Sequence, residues 1–490
     1  MSSRQTYDFV IAANRLPVDR HVHPDGSTEW RTAPGGLVTA MDSVMRGWDG
    51  DDAAWVGWPG FSGEAPEPFD EGKLRLHPVP LSAQELSDYY EGFSNDTLWP
   101  LYHDVIVPPT FHRSWWTCYR AVNQRFADAV CEVAAEGATV WVHDYQLQLV
   151  PALVRDKRPD VRIGWFNHIP FPPVELFAQL PWRESILRGL LGADFLGFQR
   201  PDDARNFARS CRTVLGATAR GEKVEWQGTD DDRLGAAPRT VRAAAVPISI
   251  DAAGFRELAD SDAVRERAEE IRESLGNPEV VLLGVDRLDY TKGIRHRLRA
   301  IGELFDDGAI SPDQVTFIQV ATPSRERVQA YRTLREQIEG TVGRINGDVS
   351  HLGATAIHYL HQSYPREEMA ALYRVADVML ITPLRDGMNL VAKEYVTARH
   401  DGKGALVLSE FTGAAEEMPQ AYRCNPHDIA GLKETILRAI NDEPAEKERR
   451  MRALRRRVRK HDVQTWAADF LAGLEAAPER PSRSGAKAQA

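Results

Sequence analysis

The sequence predicts two α/β domains of similar size, each a mainly parallel sheet covered by helices on both faces. Short apolar runs alternate with amphipathic stretches along almost all of the 490 residues, the pattern of parallel β-α-β units. A charged stretch, "DAVRERAEEIRESLG" at 262–276, separates a first run of alternation from a second. No short repeat is visible, so these are two domains of one class and not a solenoid. A chain this long is also beyond what one ordinary core supports.

The elements follow in order. "YDFVIAA" reads as a first strand, and "GGLVTAMDSVMRGW" as a helix opened by glycines. "ATVWVHDY" and "RIGWFNHI" are strands separated by "QLQLVPALVRDKRP", whose apolar spacing is helical. "ADFLGFQ" is a strand and "PDDARNFARSCRTVLG" the helix after it. "VPISIDA" leads out of this half, placing a boundary at about 245–250. The second half brings "EVVLLGVDRL", "QVTFIQVA", "AIHYL", "VADVMLITPL" and "GALVLSEF" as strands. "KERRMRALRRRVRK" at 447–460 is densely basic, but Met451, Leu454 and Val458 share one face, the mark of a solvated amphipathic helix rather than a nucleic-acid arm. The Pro/Ser/Ala-rich tail reads as disordered.

Hydrophobic content of 43% and charged content of 27% are ordinary for globular chains. A net charge of −11 argues against nucleic acid or an anionic membrane as the main partner, while leaving room for anionic small ligands in a local basic pocket. The N-terminus has no signal-peptide pattern, and no apolar run approaches the ~20 residues of a membrane span. Cys118, Cys131, Cys211 and Cys424 form no C-x-x-C pair. Reduced thiols in a cytoplasmic protein are expected.

Ligands of open α/β sheets bind beyond the carboxyl ends of the strands, so the residues at each strand exit bear on function. The first strand ends in Asn14-Arg15 and reaches Gly35-Gly36 before the next helix. "ATVWV" ends in His143-Asp144, and "RIGWF" in Asn167-His168 followed by the stiff "IPFPP". "VVLLGV" ends in Asp286-Arg287, with Lys292-Gly293 at an expected helix start, and "FIQVA" ends in "TPSR" with Arg325. "VADVMLITPL" exits into "RDGMNLVAKEY". Taken singly, His143 and His168 read as core histidines, Asp144 as a helix cap and Gly35-Gly36 as a turn. Arg287 and Lys292 are more telling, because cations at a helix N-terminus oppose the helix dipole unless an anion is present. Polar exits from both halves point to a site in a cleft between them. No metal is expected: His21 and His23 sit in a hairpin with Pro24, Asp25 and Gly26 and lack a third ligand nearby, and metal-binding motifs are missing. Walker and G-x-G-x-x-G loops are missing too.

"VDRLDYTKG", "PLRDGMNLVAKEY", "HDYQL", "HIPFPP", "RINGDVSHLG" and "YYEGFSNDTLWP" occur in an order that resembles the trehalose-6-phosphate synthase family, from about residue 7 to 473. The resemblance implies a retaining GT-B glycosyltransferase of two Rossmann-like, doubly wound domains facing across a deep cleft. It implies an acceptor domain over 1–247 and a nucleotide-sugar domain over 248–455. A C-terminal helix over 456–475 would return to the first domain, and 476–490 would be a disordered tail. The implied reaction moves glucose from UDP- or GDP-glucose to glucose 6-phosphate without a cofactor, giving α,α-trehalose 6-phosphate.

Residue by residue, the resemblance puts Arg287 and Lys292 at the donor diphosphate, with the backbone N–H groups of Leu390 and Val391. Glu394 would hold the ribose, and Gly35 and Gly36 would let the first loop approach the donor. Asp386, Gly387, Met388 and Asn389 would line the transferred glucose with His168. Arg287, Lys292, His168 and Asp386 would be the catalytic set, and Tyr364 would stand near the base. Arg15, Tyr90 and Arg325 would bind the acceptor phosphate, with Trp99 and Asp144 positioning its sugar and Trp58 walling the pocket. Lys393 is expected to face solvent. "ATPSR" at 321–325 departs from the "APTSR" often seen in the family. The Arg- and Ala-rich composition resembles actinobacterial members, whose donors include GDP-glucose as well as UDP-glucose, so the base stays open. The resemblance also allows a homo-oligomer. A synthase-like regulator and a pseudo-glycosyltransferase are the alternatives; the first would be expected to lose cations or the "RDGMN" segment, and the second to carry altered donor-sugar residues.

Overall fold

The computed structural model describes residues 5–477 apart from 24, 26, 33–37, 39–40, 42–52, 73 and 232–233. Gly35 and Gly36, most of the helix expected over 35–48, Pro24 and Gly26, and nearly all of the tail expected from 476 lie outside the described residues.

Two sheets organise the chain. The first runs Thr218–Arg220, Lys223–Trp226, Arg239–Ala245, Phe195–Phe198, Arg162–Phe166, Ala134–His143, Tyr7–Arg15, Ala53–Trp58, Leu74–Pro78, Phe69–Glu71. Its strands from Arg239–Ala245 to Leu74–Pro78 are parallel, and antiparallel strands finish both edges. The second runs Ile357–Leu360, Val315–Thr322, Val280–Arg287, Val378–Ile381, Ala405–Ser409, Tyr422–Cys424, all parallel. Counting the parallel strands of each sheet in chain order, both follow the doubly wound order 3-2-1-4-5-6, with one strand more in the first. Each order reverses once, between Tyr7–Arg15 and Ala134–His143 in the first sheet and between Val280–Arg287 and Val378–Ile381 in the second.

The strands read as continuous apolar runs because both faces are covered. Side-chain alternation still divides them between cores. Phe9, Ile11 and Ala13 enter one core, while Val10 and Ala12 enter another on the opposite face. Val281, Leu283 and Val285 join the same core as Phe9, and Leu282 turns to a third. One apolar core therefore runs continuously through both halves.

Two helices past the second sheet make this continuity. Pro444–Lys460 buries Met451, Leu454 and Val458, the face legible in the sequence. The expected boundary at 455/456 falls inside this helix. The break comes at 461–462 instead, where Asp462 accepts a hydrogen bond from the Thr465 N–H at 2.9 Å and starts the helix Val463–Glu475. That helix lies on the first sheet. Phe470 stacks on Trp141 at 4.3 Å between centroids, and Trp466 meets Trp141 and Phe166 at 5.1 Å each. The chain thus passes between the halves twice, and the passages touch: the Val463 N–H donates to the Ile250 carbonyl at 3.0 Å. No helix among the described residues is long and apolar enough to cross a membrane.

Lys393 corrects the expectation of a solvent-facing charge. It lies in the helix Leu390–Ala398 and is 2% exposed; its Nζ donates to Glu417 Oε2 at 2.6 Å and to the Ile248 carbonyl at 2.8 Å. Burial lowers its pKa, opposed by Glu417. Helix spacing places Lys393 on the face toward the inter-domain segment, where a carbonyl and a carboxylate satisfy it. Lys393→Met would strand the Glu417 carboxylate in the interior, at a cost of about 3–5 kcal/mol in denaturant unfolding. Lys393→Met combined with Glu417→Leu should recover most of that loss. If the single variant unfolds like the parent, the pair carries no such weight.

Candidate active site

The two reversal points place four strand exits together. From the first sheet come Arg15 and the His143-Asp144 pair; from the second come Arg287 and the "RDGMN" segment. Reversal points of open α/β sheets leave a crevice beyond the strand ends.

In the second half, Lys292 closes the short turn Tyr290–Lys292, which Asp289 caps by accepting from the Thr291 N–H at 2.9 Å. Lys292 Nζ lies 2.6 Å from Asp386 Oδ2, and Asn389 Nδ2 donates to the same oxygen at 3.2 Å. Burial alone would raise the Asp386 pKa, but Lys292 and these hydrogen bonds keep it below the ordinary carboxylate value. Asn389 also starts the helix Leu390–Ala398: its φ is 83°, and its Oδ1 accepts from the Ala392 N–H at 3.2 Å. Leu390 and Val391 are thereby the first two residues of the helix, where backbone N–H groups have no partner within it. Met388 is 3% exposed and its side chain packs in the shared core, so only its backbone is available to a ligand. Glu394 accepts from the Tyr373 hydroxyl at 3.0 Å, and burial raises its pKa. Arg287 differs from all of these. It is exposed, and among the described residues no carboxylate lies within ion-pair distance; its guanidinium sits 5.3 Å from the centre of the Trp99 ring.

The facing wall comes from the first half. Leu86–Leu98 is a π-helix, closing i to i+5, and the Trp99 N–H continues the ladder to Ser94. In this wide winding Tyr90 and Trp99, about two turns apart, approach one face, whereas α spacing would set them on opposite sides. Trp99 receives Arg325 at 3.8 Å from its ring centre. Arg325 reaches Asp289 at 3.1 Å and the Tyr145 hydroxyl at 3.3 Å, and it also contacts the Tyr331 hydroxyl. Its Nε is buried with no partner. Burial opposes the Arg325 charge, but Tyr331, Tyr145, Asp289 and Tyr90 together raise its pKa. Asp144, with φ of 74°, accepts from the His168 N–H at 3.2 Å. Burial raises its pKa to about 7, against the pull of the His168 and Tyr145 backbone N–H groups and of Arg287 and Arg325. Arg15 pairs with Asp19 and lies 5.7 Å from the Trp58 ring, and Trp58 sits 6.0 Å from Tyr90.

The sites expected from sequence thus form two adjoining groups. Arg15, Trp58 and Tyr90 make one, and Asp144, Trp99, Arg287 and Arg325 the other. Lys292 and Asp386 adjoin the second group through Asp289, whose pKa is lowered to about 2 because Arg325, Arg287 and Lys292 outweigh its burial. Tyr364 stands apart, after the edge strand Ile357–Leu360, with its hydroxyl on Gln362.

Several residues were missed. Asp289 and Tyr331 hold Arg325. His103, its pKa brought to about 3 by burial, rests its ring 4.1 Å from that of Trp99 and accepts influence from Asp289, Lys292 and Asp386. Arg385 bridges to the first half, 3.3 Å from Asp104 and 3.6 Å from Asp203, whose own pKa burial raises to about 6. Asp289 and Arg385 stood inside quoted motifs, so position next to a strand exit was an available signal. His103 carried none.

The model of glycosyltransferase family 20 matches residues 7–476. The chain belongs to this family. A trehalose-6-phosphate synthase of Mycolicibacterium gilvum is 56% identical over 474 residues, covering 95% of this chain and 93% of that protein. One of Mycolicibacterium smegmatis is 55% identical over 475 residues, covering 97% and 93%. Among solved structures, an alpha,alpha-trehalose-phosphate synthase (UDP-forming) of Burkholderia xenovorans, in complex with glucose-6-phosphate, superposes with a TM-score of 0.85 at 34% identity, over 95% of this chain and 99% of that one. An E. coli structure bound with UDP-2-fluoro glucose gives 0.85 at 32% identity, over 96% and 100%. The fold is GT-B, as in these family 20 structures.

Proposed function

We propose that this family 20 enzyme transfers glucose, with retention, from a nucleoside-diphosphate-glucose to glucose 6-phosphate, releasing the nucleoside diphosphate and α,α-trehalose 6-phosphate. The observation that carries the reading is Arg287, without a carboxylate partner among the described residues, beside the Lys292–Asp386 pair and the first N–H groups of Leu390–Ala398. Two cations and a helix N-terminus suit a leaving diphosphate as its charge develops. Lys292 spends one donor on Asp386 and keeps two more. On this reading Arg287, Lys292, Leu390 and Val391 hold the diphosphate, and Glu394 turns its free oxygen to the ribose. Asp386, the Gly387–Met388 backbone, Asn389 and His168 line the glucose. Arg15, Tyr90 and Arg325 take the acceptor phosphate, with Trp58, Trp99 and Asp144 around its sugar.

The chain would divide into an acceptor domain before about 247 and a donor domain after it. In the reaction the bond from glucose C1 to the diphosphate oxygen breaks as C1 bonds to the acceptor's anomeric oxygen on the same face. The departing phosphate oxygen takes the acceptor's proton, so no pair of catalytic carboxylates at hydrolase spacing is required. The cleft between the halves would supply proximity and exclude water. Retention of Arg15, Arg287, Lys292, Arg325 and Asp386 favours this over a regulatory or pseudo-glycosyltransferase role.

The test is nucleoside-diphosphate release that depends on glucose 6-phosphate, run side by side with UDP-, GDP- and ADP-glucose and followed by NMR of the product. We expect release with UDP- or GDP-glucose and an α,α-1,1 linkage. Release independent of glucose 6-phosphate, or another linkage, rejects the reading.

A further inference from the structure

His143 ends the strand Ala134–His143 and is fully buried. The next parallel strand, Arg162–Phe166, leads to His168 two residues beyond its end. His143 Nδ1 lies 3.1 Å from His168 Nε2, with ring centres 5.3 Å apart. Both rings are held neutral. Burial, and then the neighbouring ring, lowers the His143 pKa far below the ordinary value, and burial takes that of His168 to about 3.

A neutral imidazole has one N–H and one bare nitrogen, so this contact needs one ring to donate and the other to accept. The choice fixes both tautomers. His143 Nε2 is buried and has no hydrogen-bond partner among the described residues. Were His168 the donor, the His143 proton would sit on that Nε2 as a buried N–H with nothing to receive it. Orphaned buried donors are rarer in folded proteins than orphaned acceptors, and each costs its full desolvation. With His143 donating through Nδ1, its Nε2 is instead a bare nitrogen beside the Trp141 ring, 4.9 Å away between centres. His168 then carries its proton on Nδ1. That atom has no hydrogen bond among the described residues, and His168 is partly exposed.

We propose that His143 is a positioning residue: its Nδ1–H locks His168 into the Nδ1–H tautomer, so that His168 meets an oxygen of the donor's glucose as a hydrogen-bond donor. The inference rests on the placement of His168 at that sugar in the proposed function. It gives a role to a histidine that reads, from sequence, as a core residue.

The tautomer can be read without activity, by long-range 15N–1H correlation on the intact protein labelled at histidine, with His168→Gln to assign the signals. Three proteins are compared. The parent should show the His168 proton on Nδ1. His143→Asn, whose amide N–H falls near the position of Nδ1, should keep it there. His143→Phe, which keeps a ring and loses the donor, should not. In parallel, His143→Phe should lower kcat/KM for the nucleotide sugar on the order of tenfold, the loss of about one hydrogen bond. KM for glucose 6-phosphate should not change, and His143→Asn should restore the rate. A parent protein with the proton on His168 Nε2 overturns the proposal. So does a His143→Phe protein with altered tautomer and unaltered turnover. If His168→Gln also turns over normally, the failure lies in placing His168 at the sugar, and the proposal falls with it.

Discussion

Arg287→Ala should cut glucose transfer by about 10²–10³-fold, the loss typical of removing one preorganised group from a developing oxyanion, with no change in thermal stability. The second half follows from the surroundings of the side chain. Arg287 is exposed and holds no carboxylate among the described residues, and its nearest aromatic contact is Trp99 at 5.3 Å. Removing it breaks no described ion pair, and the buried Asp289 that feels its charge keeps Arg325 and Lys292 as neighbouring cations. Lys292 is the contrasting case, because Lys292→Ala would leave Asp386, only 13% exposed and bonded to it at 2.6 Å, without its counter-charge. Activity lost there mixes chemistry with local collapse. The clean measurement is therefore kcat and melting temperature of Arg287→Ala together. Turnover within about threefold of the parent, far short of the range expected for an oxyanion donor, would remove Arg287 from the diphosphate. A large fall in melting temperature would give it a structural role that the contacts do not predict.

The second large effect is expected at Gly387. A Cβ there would lie 2.4 Å from the His168 carbonyl oxygen and 3.0 Å from Ile169 Cα. Real Cβ atoms do not approach backbone so closely, and a backbone neighbour cannot swing away as a side chain can. Retreat on the other side is blocked as well. The Gly387 carbonyl lies against Gly413, where a Cβ would come within 2.0 Å of it. The segment is held between the His168 exit of one sheet and the Gly413 turn of the other half. Gly387→Ala must push these apart by several tenths of an ångström or more. Since misplacement on the order of 1 Å costs about 10²-fold in rate, we expect a loss of that size, with the protein still folded. Circular dichroism and kcat measured on the same sample decide it. A folded variant with parental kcat would show that the seam need not be this tight during turnover.

The sequence displayed the parallel strands well because strands covered on both faces are apolar throughout; five of the six in the second half were found, though "VADVMLITPL" ran three residues beyond Val378–Ile381 at each end. It displayed less of the first half. Ala53–Trp58 and Leu74–Pro78 were not read as strands, although "AAWVGW" is buried along its whole length. Tyr422–Cys424 has only three residues and exposes its middle one, too little for a pattern. The π-helix at Leu86–Leu98 has neither a 3.6 nor a 2.0 period, so periodicity could not find it; Tyr90 and Trp99 came from motif resemblance. Within the site, charges at strand exits were visible, but their partners were not. Lys393 and Arg287 look equivalent as letters. One is buried on Glu417, and the other is exposed with no ion-pair partner among the described residues, a difference set by which way the next helix turns.

The two passages of chain between the halves have a mechanical consequence. A lone tether lets two bodies swivel and twist about it as well as bend. Here the segment around Ile250 and the start of Val463–Glu475 run side by side and are hydrogen-bonded at 3.0 Å, with Lys393 fastening the Ile248 carbonyl from below. Two tethers tied together at one point by a backbone hydrogen bond resist twist more than a lone one and leave bending as the softer coordinate. The joint works like a door hinge rather than a ball and socket. Any opening about such a hinge would then return Arg287 to its place 5.3 Å from the Trp99 ring and Gly387 to the His168 carbonyl, so that the register of the two walls is set by the hinge line itself.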